Sequence, residues 1–114
     1  MTSPSPSPGE LWLAYLHFSD MPEFGKVRPV LVLAVEEGRA VAAKVTSKDV
    51  GASLGAPAWP VPGWEALGLR RPSFVRLDQR FEIPFGDLLR GEPLGVLPPG
   101  LFSEVSALLS GLGG

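Results

Sequence analysis

The stretch GKVRPVLVLAVEEGRAVAAKVTSK, residues 25–48, decides how the rest of the chain is read. Two apolar runs, RPVLVLAV (28–35) and AVAAKVTS (40–47), flank the polar, glycine-containing EEGR (36–39). Runs rich in valine around so short a turn predict an antiparallel hairpin. Pro29 has no backbone N–H, so it is expected only at the beginning of its strand, where the ladder needs no donor. Pairing through the turn brings the start of the first strand alongside the end of the second, and Arg28 is therefore expected close to Thr46 and Ser47.

Outward from this hairpin, ELWLAYLHF (10–18) alternates loosely and reads as a strand covered on both sides. SDMPEFGK (19–26) reads as a loop facing the substrate side of Arg28, with Gly25 as its hinge. Residues 48–71 are interrupted by Gly51, Gly55, Pro57, Pro60, Pro62, Gly63 and Gly68, which predicts a long loop with a short strand near Ala58 to Val61. PSFVRLDQRFEI (72–83) resumes strand character, PFGDLLRG (84–91) suits one helical turn, and EPLGVL (92–97) suits a short edge strand. In PGLFSEVSALLSGL (99–112), Leu101, Val105 and Leu108, with Leu109 and Leu112, fall at helical spacing, with proline before and glycine after. Residues 1–8 alternate serine and proline with nothing to bury and are expected to form a mobile tail ahead of a single domain over 9–114. Short strands closed by one terminal helix predict a mainly β, α+β domain built as a small barrel.

Composition narrows the chemistry. With 114 residues, 45% hydrophobic and 19% charged, the chain can build one core and one site. The longest apolar run, Val30 to Val35, is too short to span a bilayer, and the amino terminus lacks the pattern of a signal peptide, so a cytoplasmic protein without membrane contact is expected. There is no cysteine and one histidine, which leaves no thiolate and makes a protein-only zinc site improbable; neither a metal nor a cofactor is expected. The net charge of −2 argues against a general nucleic-acid coat. Charge is nevertheless uneven, because RRPSFVRLDQR (70–80) holds four arginines against one aspartate. Strand alternation puts Phe74, Arg76 and Asp78 on one face of that segment. A local basic strip on an acidic protein can still bind phosphates, but by composition alone Arg70, Arg71 and Arg80 read as solvating strand ends.

The motifs gain meaning in order. GELWLAYL, a glycine-containing loop, VRPVLVL, a strand ending VTS, LRRPSFVRLDQ and a terminal amphipathic helix together resemble the MazF/PemK family of toxin endoribonucleases, from Gly9 to about Leu112. The resemblance implies an SH3-like β-barrel of the MazF/PemK/CcdB type with a C-terminal α-helix, a homodimer, metal-independent cleavage of single-stranded RNA, and a cognate antitoxin as partner. It implies catalytic roles for Arg28, Thr46, Arg76 and Asp78, with Ser47, Lys26 and Phe74 as substrate contacts. The loop histidine that some members use has no counterpart in SDMPEFGK, and its role is not transferred to His17.

These residue types suit the implied chemistry. Cleaving RNA without metal requires a base for the 2′-hydroxyl proton, cationic donors for the phosphorane, and an acid for the leaving 5′-oxygen. A planar guanidinium can grip two phosphate oxygens at once, so arginine fits charge stabilisation better than proton donation. Asp78 can act as a base, although a neighbouring arginine weakens it in that role. Trp12, Trp59 and Trp64 read as loop or interface anchors before they read as stacking platforms for bases. Arg28, Thr46 and Arg76 favour the nuclease, while the missing histidine and acidic net charge leave room for an alternative on the same scaffold, a non-cleaving member that binds DNA or a protein such as gyrase.

Overall fold

The structure is a computed structural model that describes residues 5–17, 21, 23–47 and 57–112. The first half of the expected tail, parts of the loop before β2, and residues 48–56 of the long loop lie outside the described residues. The elements are β1 (Glu10–His17), β2 (Gly25–Glu36), β3 (Arg39–Thr46), β4 (Ala58–Pro60), β5 (Phe74–Pro84), a single 3₁₀ turn (Phe85–Asp87), β6 (Gly95–Val96) and one helix, α1 (Pro99–Leu112). Six strands form one sheet in the order β4-β5-β3-β2-β1-β6, with every pairing antiparallel. The expected mainly β fold with a terminal helix is what the chain forms, the sheet curling into a half-barrel.

Both faces of the sheet are apolar, which accounts for the loose alternation of β1 and β2. On one face, Leu11, Leu31, Val45 and Val75 pack with Val105 and Leu109 of α1 and with Leu67 and Leu69 of the segment before β5. On the other, Trp12, Ala14, Val30, Val32, Ala42 and Ile83 form a smaller cluster closed by Leu88. Two polar bonds hold α1 to the sheet. Arg80 donates from Nη2 to the Leu109 carbonyl at 2.6 Å, and the buried Trp59 donates from Nε1 to Glu104 at 2.7 Å. Trp12 is likewise buried and bonds Glu10. Both tryptophans therefore act as anchors.

The hairpin forms at the expected place, with Glu36 opposite Arg39 and Gly38 in the turn. Two details of β2 differ from the sequence reading. Pro29 is not at the start of the strand; it is the fifth residue of β2 and stands opposite Leu13. Leu13 accepts the Leu89 N–H at its carbonyl, 2.8 Å away, so its polar groups face away from β2 and the Leu13–Pro29 pair is a non-hydrogen-bonded one. The proline nitrogen thus faces β3, where pairing begins only at Val30, and the missing donor leaves nothing unsatisfied.

Gly25 is the second detail. It is not a hinge in a loop but the first residue of β2, opposite His17. A Cβ at Gly25 would collide with the Leu16 carbonyl oxygen and lie 2.8 Å from the Tyr15 ring, so glycine is required here by close approach of the two strands. Lys26 is in consequence a strand residue, held opposite Leu16. We predict that Gly25→Ala destabilises the fold by about 1–3 kcal/mol, the cost of overpacking, read as a lower urea midpoint with an unchanged m-value.

Candidate functional site

The smaller apolar cluster does not run the full length of its face. Residues opposite each other in an antiparallel pair share a face, so Arg28 (opposite Ala14) and Lys44 (opposite Val30) continue the face that carries Trp12, Val30 and Val32. Thr46 lies two residues beyond Lys44 on the same side, and the same register extended brings it opposite Arg28. The apolar surface is thus succeeded by two cations and a hydroxyl, as the hairpin's polar ends foreshadowed.

A cleft of about 1060 Å³ opens at this end of the sheet. Lys26, Arg28, Thr46 and Ser47 all line it, so four of the sequence-predicted site residues come together. Arg28 is half-buried, with Nη1 donating to the Val27 carbonyl at 3.2 Å. Further lining comes from Lys44, from Arg70, Arg71 and Ser73 in the segment leading into β5, from Gln79 in β5, and from Arg90 after the 3₁₀ turn. Six of the ten Lys and Arg residues of an acidic chain therefore border one cleft. Among the described residues that line it there is no carboxylate. Like charges gathered around one cleft repel one another, and the arrangement suits a ligand carrying several negative charges.

Phe74, Arg76 and Asp78 are placed differently. Phe74 stands opposite Thr46 and shares its face, and Arg76 stands opposite Ala58 of β4. Pairing between β3 and β5 then slips: Val45 faces Val75 and Ala43 faces Arg80, so β5 residues 76–79 pass a single β3 residue, Lys44. This irregularity bends β5. Gln79, the last of these four residues, lines the cleft, whereas Phe74, Arg76 and Asp78 are not among its lining residues. Arg76 and Asp78 engage each other in a fork, Nε to Oδ1 at 2.8 Å and Nη2 to Oδ2 at 2.7 Å. The hydrogen bond from Arg76 holds the Asp78 carboxyl below its ordinary value, against a smaller opposing effect of burial.

Several lining residues were not singled out by sequence. Arg70 and Arg71 read there as strand-end solvation, and the loop around them has no periodicity from which to place them. His17 was set aside. It borders the cleft at the end of β1, with Nε2 3.2 Å from Asp87 Oδ2. The available signal for Arg90 was Gly91 after it, since glycine marks turns. Among the described residues, no group of three or more His, Asp or Glu is placed to share a metal ion. No helix among them is long and apolar enough to cross a membrane.

Known structures share this architecture. The chain resembles a chain of the MazE–MazF complex (Form II) from Deinococcus radiodurans, with TM-score 0.69 and 24% identity over 94% of each chain. It resembles the Mycobacterium tuberculosis toxin MazF-mt6, with TM-score 0.63 and 24% identity over 90% of this chain and 94% of the other. A third relative in fold is an endoribonuclease in complex with its cognate antitoxin from a mycobacterial species, with TM-score 0.66 and 14% identity over 98% and 94%. No curated protein sequence matches the chain. The sequence model of the PemK-like, MazF-like toxins of type II toxin–antitoxin systems matches residues 7–112, nearly the whole chain, and the protein therefore belongs to that family.

Proposed function

We propose that the protein is a toxin-type endoribonuclease that cleaves single-stranded RNA in the cytoplasm without a metal ion, through attack of the 2′-hydroxyl and a 2′,3′-cyclic phosphate. The observation that carries this reading is the cleft, where six cations and the hydroxyls of Thr46 and Ser47 surround a space with no carboxylate among its described lining residues. Family membership supports the activity class, and the solved MazE–MazF complex supports a cognate antitoxin as partner. A homodimer belongs to the same proposal.

In this reading the scissile phosphate sits between Arg28 and Thr46. The Arg28 guanidinium neutralises charge as the phosphorane forms, and Thr46 donates to a non-bridging oxygen. Ser47 and Lys26 hold the strand beside them. Arg76 supplies a second guanidinium from the edge of the site, with Phe74 as an apolar contact next to Thr46. Asp78 keeps Arg76 in one orientation through its two-point bond; lowered proton affinity makes it a poor proton acceptor. Proton transfer falls to His17, the imidazole in the lining, oriented by Asp87.

Incubating the folded protein with a long single-stranded RNA in excess EDTA tests the reading. Fragments ending in 2′,3′-cyclic phosphate are expected, with Arg28→Ala slower by about 10²–10³-fold and His17→Gln slower by about 10²–10⁴-fold. Intact RNA with the folded wild type overturns the nuclease reading; retained binding of nucleic acid or of gyrase would then identify the non-cleaving alternative.

The Arg76–Asp78 pair has its own pH signature. The carboxyl binds its proton less tightly folded than unfolded, so the pair stabilises the fold above the unfolded carboxylate value of about 3.9 and loses that contribution as pH falls through the lower folded value. Asp78→Asn is expected to lower Tm at neutral pH, and the two proteins should converge in acid. A Tm difference that stays constant across pH 2–7 would contradict this.

A further inference from the structure

Arg90 is, among the described residues, the one non-glycine with a positive φ, 71°, and Gly91 follows it at 68°. The left-handed region is unfavourable for any residue bearing a Cβ, and glycine is the residue expected there. The conformation is imposed from both sides. Leu89 donates its N–H to the Leu13 carbonyl at 2.8 Å, and Leu94 donates to the Leu11 carbonyl at 2.6 Å, so the turn is clamped to β1 before and after Arg90. Nothing local repays the strain, because the Arg90 side chain is exposed and makes no hydrogen bond or ion pair to any described residue. It does line the cleft. Backbone held in such a conformation clusters at active sites and ligand clamps.

The sheet fixes how far this cation stands from Arg28. Ala14 of β1 is opposite Arg28 on one edge and opposite Leu88 on the other. Two strand spacings, about 10 Å at the backbone, therefore separate β2 from the segment that carries Arg90. That is wider than a single phosphate group and suits successive phosphates of one strand. We infer that Arg90 binds a backbone phosphate of the RNA flanking the scissile one, so that the strand crosses the end of β1 between Arg28 and Arg90. The inference rests on the nuclease reading and extends it: the substrate must be long enough to present phosphates on both sides of β1.

Strain and ligand contact pull in opposite directions, and that separates this role from a structural one. The test uses the RNA that the wild type cleaves, made non-cleavable by 2′-O-methylation, with binding measured over a range of salt concentrations for wild type, Arg90→Gly and Arg90→Lys. Arg90→Gly should keep or raise Tm, weaken binding about tenfold, and make the slope of log K against log salt shallower by about 0.7, one phosphate contact on a single strand. Arg90→Lys should keep the slope with a smaller loss of affinity. Unchanged affinity and slope in Arg90→Gly, with the wild type binding normally, overturn the inference alone. So does a lowered Tm in Arg90→Gly, which would make the residue structural. A wild type that neither binds nor cleaves RNA overturns the nuclease reading together with it.

Discussion

Strand β2 is paired along both edges, with β1 on one side and β3 on the other, and its two faces serve different halves of the molecule. Leu31 belongs to the cluster under α1, while Val30 and Val32 belong to the opposite cluster. A slip of one residue against either neighbour would exchange these faces and carry Arg28 away from the cleft. Burial on both sides therefore specifies the register more strictly than a one-sided sheet would. The position of the guanidinium follows from the packing of valines and leucines several residues away. Leu33, where the β2–β3 register shifts between Val32 and Ala34, is the one break in this ladder, and it lies towards the turn, at the end away from Arg28.

The same geometry explains how an acidic protein keeps a strongly basic cleft. Its six cations come from four parts of the chain: β2, β3, the segment before β5 and the turn after the 3₁₀ helix. Each is fixed by backbone pairing or by loop packing, so the sheet and the apolar clusters hold these like charges on one side of the molecule. Three ion pairs stand apart from the cleft or at its margin: Arg39 with Glu82, Arg76 with Asp78, and His17 with Asp87. A field of one sign inside an overall acidic surface favours approach of an anionic strand to this face over others.

Much of this was legible in the chain. The hairpin, the terminal helix and the placement of Arg28 beside Thr46 and Ser47 follow from residue pattern, because aliphatic runs, a glycine turn and helical spacing are local signals. What escaped was set by contacts distant in sequence. Pro29 can occupy the interior of β2 because Leu13 turns its polar groups the other way and β3 has not yet begun to pair, and neither fact is written near Pro29. Gly25 looks like a hinge until Leu16 is known to approach it. Gly68 is similar: at φ 78° its Cβ would meet the Leu94 carbonyl at 2.6 Å, so the loop carrying Arg70 and Arg71 is seated against the segment before β6. No periodicity in residues 61–71 could have revealed that seat, and with it the placement of two arginines.

The bend in β5 is where scaffold and site diverge. Up to and within it, Val75 and Leu77 pack under α1 while β5 pairs with β4; beyond it, Phe81 and Ile83 join the opposite cluster. One strand thus serves both cores, and the four residues passing Lys44 are what lets it change partners. Arg76 and Asp78 fall within those four residues. Arg76 keeps strand pairing on its β4 side, opposite Ala58, but the slip leaves it without a β3 partner, and a carboxylate two residues away that takes both ends of its fork adds a second constraint on the guanidinium. The bend thus leaves Arg76 one flanking strand where an unbroken ladder would give two, and the two-point hydrogen bond adds to the backbone's hold on the side chain.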